Sequence, residues 1–398
     1  MIRRGALLAL PVLVAVGAIA VAATLLLREG DGPAGGREAP LAAQLDRCGA
    51  AFDDESKRSC FAAALKRLVA PASDPRDVVQ RISTVAWAER GGFLLPNCHG
   101  LMHTVGREYA LAHRVELATL MDYLPRSNDP GCSAGFAHGL VSAVAPQIDP
   151  SQPRAATAVC TRAATRYQRY SCIHGFGHAF MRVYNEQLAP ALELCRALGH
   201  VDASDCAQGA FHDYWFSVSG LDGTTSFEPK PELDPRALCA QQPKDLVPPC
   251  WYRAFVDTRP HGFQTRTPAD FDGLCEGLAA LQRDACITAA SVIGPPDPVE
   301  QLRLCAKLGG ADAVSCIHGT KVQNLLGSPT ATYVRVIRGC ARFSGATRDA
   351  CYTWLGKTLS VVTDGRFRRA GCTALAAAAR RACIAGARTM NGPLVTFS

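Results

Sequence analysis

The chain begins with one unbroken apolar run, Gly5 to Leu27, and continues as many short segments in which Ala, Leu and Val recur at helical spacing. Turns containing Gly, Asp or Ala separate these segments, a pattern that predicts pairs of antiparallel helices joined by tight connections. At ~1.5 Å per residue the opening run reaches roughly 34 Å, enough for a bilayer core of about 30 Å. Arg3 and Arg4 before it and Arg28 after it bound the segment, and the basic N-terminal flank predicts that this end stays cytoplasmic. We therefore read residues 1–28 as an anchor that leaves the rest outside. The rival reading is a cleaved signal peptide, for which Ala18-Ile19-Ala20 supplies a small-x-small pattern. Residues 29–40, rich in Gly, Pro and charge, read as a flexible tether.

Cysteine spacing organises the rest of the chain. Sixteen of the 18 cysteines fall in pairs 11 or 12 residues apart: Cys48/Cys60, Cys160/Cys172, Cys195/Cys206, Cys239/Cys250, Cys275/Cys286, Cys305/Cys316, Cys340/Cys351 and Cys372/Cys383. The last seven pairs recur at intervals of 30 to 44 residues, the period of a helical-hairpin repeat. Each first cysteine is expected to end one helix and each second cysteine to open the next, so that a disulfide crosses the closed end. The fold predicted is all-α, an α-solenoid of disulfide-stapled hairpins. It resembles secreted Sel1-like repeat proteins in architecture, with a different cysteine spacing. Cys98 and Cys132 stand outside the pattern, with Trp87 and Met121 where partners would be. They either bridge adjacent hairpins or serve as thiolates beside neighbouring histidines.

The repeat brings histidines into register. A [His/Ala/Gln]-Gly-x-x-His motif occurs four times in succession: His99 to His103, Ala134 to His138, His174 to His178 and Gln208 to His212. Offsets of 75, 75 and 74 residues relate His99 to His174, His103 to His178 and His138 to His212, so a two-hairpin unit with three histidines is duplicated. Residues four apart share a helix face, and imidazole suits copper, iron or zinc. His99, His103, His138, His174, His178 and His212 are accordingly the candidate ligands, either three to each of two ions or together around a single ion. That count resembles the coupled dicopper sites of the tyrosinase and haemocyanin class in number alone. The motif glycine permits close helix approach. Arg107 and Arg182, one turn beyond His103 and His178, are candidate anchors for an anionic substrate, and Glu108, Glu186 and Asp213 are candidate acceptors for a ring nitrogen. The stretch Phe211 to Phe216 would make one wall of a pocket apolar. His318 keeps only the first histidine of a motif and reads as a decayed or repurposed copy.

Composition narrows the functions. An apolar content of 48% over 398 residues can bury a core without covalent help, and 18 cysteines indicate an oxidising compartment. A net charge of +7 without a basic run gives no footprint for nucleic acid. No phosphate-binding loop, H-E-x-x-H or C-x-x-C occurs, which removes the usual nucleotide, zincin and zinc-ribbon signatures. Two readings stand. One is an exported metalloprotein, with oxidoreductase chemistry in a His-rich half at 41–218, an inserted loop or lid at 219–235 and further repeats at 236–398. The other is a membrane-tethered scaffold that binds a protein partner on its repeat surface.

Overall fold

The computed structural model describes residues 35–49, 53–88, 92–127, 129, 131–217, 228–229, 234–258, 264–320, 330–362, 371–373 and 375–388. The apolar run Gly5 to Leu27 lies outside them, and no helix among the described residues is long and apolar enough to cross a membrane. The described chain is helical apart from one short antiparallel pairing, Phe216–Ser217 with Glu228–Pro229. It divides into two compact units, residues 34–260 and residues from 261 onward.

In the first unit the helices are α1 (Gly35–Gly49), α2 (Asp54–Val69), α3 (Pro75–Ala88), α4 (Leu94–Ala112), α5 (Cys132–Ala143), α6 (Pro153–Thr157), α7 (Arg166–Val183), α8 (Leu188–Ala197), α9 (His200–Trp215), α10 (Pro235–Ala240) and α11 (Val247–Thr258). Helix α1 begins inside the stretch read as a tether. Side-chain caps start several helices: Asp53 accepts from the Ser56 amide at 2.7 Å and Thr165 from that of Gln168 at 3.0 Å. Gly199, at φ 102°, makes the left-handed turn between α8 and α9 that a side chain would strain. The second unit repeats the scheme with α12 (Pro268–Cys275), α13 (Ala280–Ser291), α14 (Pro298–Ala306), α15 (Gly310–His318), α16 (Thr330–Ala341), α17 (Gly345–Val362) and α18 (Ala377–Arg388).

All nine disulfides form. The eight pairs read from spacing are bridged as Cys48–Cys60, Cys160–Cys172, Cys195–Cys206, Cys239–Cys250, Cys275–Cys286, Cys305–Cys316, Cys340–Cys351 and Cys372–Cys383. The ninth joins Cys98 to Cys132, and no cysteine is free. That bridge ties α4 to α5, so these two cysteines are not thiolate ligands.

The position of each second cysteine differs from the sequence expectation. None of the eight opens its helix. Cys60 stands six residues past Asp54 in α2, Cys172 six past Arg166 in α7, and Cys206 six past His200 in α9. The second unit keeps the same offset, with Cys286 six past Ala280, Cys316 six past Gly310, Cys351 six past Gly345 and Cys383 six past Ala377. Cys250 is nearer its helix start, three residues past Val247 in α11. The turns are short, so in most hairpins only a residue nearly two turns inside the returning helix comes level with a cysteine at the end of the first. Nine disulfides belong to an oxidising environment.

The returning helices of the first unit pack in sequence, α4 on α5, α5 on α7, α7 on α9 and α9 on α11. Glycines set their spacing. A Cβ on Gly135 would run into the His99 backbone carbonyl, one on Gly139 into that of His103, and one on Gly209 into that of His174. These contacts are closer than any Cβ tolerates, so the backbones carrying the histidines touch. The start of α5 is fixed by Asp129, whose buried carboxylate accepts from Ser83 Oγ (2.8 Å), Trp87 Nε1 (2.9 Å) and the amides of Gly131 (3.0 Å) and Ser133 (2.9 Å). Helices α10 and α11, beyond the 219–235 insertion, belong with the histidine helices because α11 packs against α9.

Candidate metal centre

Helix α4 contributes His99 and His103, α5 His138, α7 His174 and His178, and α9 His212. All six converge on one cluster. Ring centroids are 4.9 Å apart for His99 and His103, 5.2 Å for His103 and His138, 4.4 Å for His138 and His174, and 5.2 Å for His178 and His212. Five rings are buried and His99 is partly exposed. Phe211 and Trp215 of α9 are fully buried in the core.

The ligand atoms form three triads: His99/His103/His138, His103/His178/His212 and His138/His174/His178, each with its nitrogens within 4.8 Å of one another. In the first, His103 Nε2 lies 3.1 Å from His99 Nε2 and 3.3 Å from His138 Nδ1. Donors around a tetrahedral ion with bonds of about 2.0–2.1 Å stand roughly 3.3 Å apart, so these nitrogens already have a metal's spacing. The triads overlap. Every two of them share a histidine. His103, His138 and His178 belong to two triads each, and His99, His174 and His212 to one.

The outer edges of the rings are tied down. His178 Nδ1–H donates to Asp213 Oδ1 at 2.7 Å, which turns Nε2 inward. Tyr170 OH donates to Gln208 Oε1 at 3.2 Å and lies 3.2 Å from His174 Nδ1, so that ring nitrogen donates to the phenol oxygen and again leaves Nε2 for the interior. His212 Nδ1 makes an angled contact of 3.0 Å with Asp257 Oδ2, which is also 2.8 Å from Arg253 Nε. Inside, His138 Nε2 and His178 Nε2 are buried without a hydrogen-bond partner. Such nitrogens are costly to leave bare, and a metal bond would satisfy them.

Comparison with family models, curated proteins and solved structures finds no match to this chain.

Of the acids read from sequence as ring acceptors, Asp213 holds a ring, whereas Glu108 pairs with Lys66 at 2.8 Å on the surface. Glu186 adds its charge near Arg182, as does Asp213. Tyr170, Arg253 and Asp257 join the cluster's surroundings from outside the histidine motif, and Gln208 joins them from its first position. A signal for one of them exists, since Asp213 and Asp257 each stand seven residues after the second cysteine of their hairpins, Cys206 and Cys250. Arg107 and Arg182 line a groove with Ser142, Pro146 and Ile148, one turn past the histidines. His318, in the second unit, joins no metal-binding group among the described residues. Burial, and then the charge of Lys357, pushes its pKa down to about 4.

Burial holds His103, His138 and His174 well below the ordinary imidazole range, and neighbouring rings add to the effect. They are neutral, hence ligand-competent, at physiological pH. The linkage has a definite sign. Below about pH 6.5 the unfolded chain takes up protons that these buried rings refuse, so metal-free stability falls as pH falls. Denaturant unfolding in the presence of chelator is expected to show lower stability at about pH 5 than at about pH 7. Equal stability on either side of the imidazole range would contradict the burial of neutral rings.

Proposed function

We propose that this is an exported metal-binding protein that holds one transition-metal ion in the six-histidine cluster. The observation that carries the reading is the pair of buried, unpartnered nitrogens, His138 Nε2 and His178 Nε2, among rings whose outer nitrogens are tied to Asp213 and Tyr170. The donor set narrows the ion. All cysteines are in disulfides and the triads contain imidazole alone, which favours copper or zinc over the carboxylate-rich surroundings typical of non-haem iron. Copper would supply one-electron redox chemistry at this position, in keeping with an oxidoreductase role, and zinc would not. In this reading residues 5–27 anchor the chain, and each unit stacks its hairpins in the manner of an α-solenoid.

The ring-to-ring contacts His99 to His103 and His103 to His138 favour a second reading, a scaffold whose histidines form a structural polar network. Such a network would be expected to satisfy its innermost nitrogens as well. Metal titration of the purified chain by calorimetry, with elemental analysis of the product, separates the two. One copper or zinc ion per chain, retained through gel filtration, supports the metal centre. A folded protein that takes up neither ion supports the scaffold.

A further inference from the structure

The six rings are not equally sheltered. His99 is partly exposed, whereas His103 is 6% exposed, His138 2% and His178 1%. His174 holds the same repeat position as His99, yet it is only 2% exposed. Packing explains the difference, because α7 lies against both α5 and α9 while α4 stands first in the series of histidine helices. Exposure therefore falls stepwise along a line of neighbouring rings, from His99 to His103 to His138.

The spacing along that line suits an ion handed from ring to ring. His103 Nε2 stands 3.1 Å from His99 Nε2 and 3.3 Å from His138 Nδ1. His138 has its other nitrogen, Nε2, buried and unpartnered, and its ring centroid lies 4.4 Å from that of His174 and 5.4 Å from that of His178. The triads overlap in the same order, since His138 belongs both to the one that contains His99 and to a buried one with His174 and His178. An ion following this line exchanges ligands one at a time, so no bare charge has to cross the core. The other side of the cluster is closed. Beside His212 lies the buried pair Arg253 and Asp257 of α11, 2.8 Å apart, and the Arg253 charge acts on His103, His138 and His174. A cation approaching there meets like charge.

Given the metal-binding reading of the cluster, on which this rests, we propose that His99 is the entry ligand, which captures the ion from solvent and passes it through His103 and His138 to the buried rings. Its role is kinetic, because the triads without it stay complete. The test is stopped-flow uptake of zinc and of copper(II), each added alone to the full chain, followed by release into excess EDTA. In His99→Ala uptake and release are both expected to slow about ten-fold with one ion still bound per chain, since an entry ligand eases passage in both directions. His174→Ala, at the equivalent buried position, is expected to take up the ion at the wild-type rate and to release it faster. His99→Asp puts a ligand back at the mouth and is expected to regain most of the lost rate. Uptake by His99→Ala as fast as wild type or faster would overturn the entry role and leave the metal centre standing. Faster release from His99→Ala would also overturn it, by marking His99 as an ordinary ligand. A wild-type chain that takes up neither ion would overturn the metal reading and the entry role with it.

Discussion

Replacing both His103 and His178 with alanine is expected to abolish metal binding, whereas replacing both His99 and His174 is expected to leave one ion bound per chain. The asymmetry arises from the overlap of the triads. Each contains His103 or His178, so the first double variant leaves none complete, while the second leaves His103/His178/His212 intact. Loss of a full ligand set should weaken copper or zinc by on the order of 10³-fold or more, given the large free energy carried by three imidazole bonds. The outer pair should cost far less. A purely structural histidine network would rank the variants differently, by the core volume and hydrogen bonds each removes. Equilibrium dialysis against a competing chelator measures the difference, and equal weakening by the two double variants would argue against shared ligands. Both proteins must first be shown to keep the wild-type helix content.

Complete reduction is expected to unfold the protein. Each hairpin bridge closes a loop of 11 or 12 residues and contributes about 3 kcal/mol in the chain-entropy account, and Cys98–Cys132, closing 34, about 4 kcal/mol. Domains of this size are stable by only about 5–15 kcal/mol, so losing nine bridges exceeds what the hydrophobic core can offset. Individual bridges should differ in kind. Cys195→Ser with Cys206→Ser is expected to lower stability by about 3 kcal/mol and to leave the metal in place. Cys98→Ser with Cys132→Ser is expected to cost slightly more and to lower metal affinity as well, because that bridge joins the helices bearing His99, His103 and His138. Circular dichroism with and without reductant, read alongside metal content, distinguishes these outcomes.

The hairpins were legible because cysteine spacing is a local property: 11 or 12 residues fit a helix end, a tight turn and the start of the return. The spacing does not say how those residues are divided, and so it misplaces the returning helix, which begins six residues before Cys172, Cys206 or Cys286 and not at the cysteine itself. The histidine cluster was legible for the same reason as the hairpins, since a motif at a fixed repeat position must recur on the same face of each stacked helix. Two features of the site were not legible. Overlap of the triads depends on how closely the helices approach, which Gly135, Gly139 and Gly209 set by placing backbone against backbone, and spacing alone cannot supply a distance. The groups that hold the rings were partly hidden because Asp257 reaches His212 from α11, across the 219–235 insertion, and Tyr170 reaches His174 from the preceding turn of its own helix. A pattern search centred on the motif looks past both.

The most direct test of the account is X-ray absorption at the edge of the bound ion, on the full chain loaded with one equivalent of copper or zinc. The account predicts a first shell of nitrogen at about 2.0–2.1 Å with the outer-shell scattering of at least three imidazoles and no sulfur. A sulfur contribution near ~2.3 Å, or an oxygen-only shell without imidazole scattering, would contradict it.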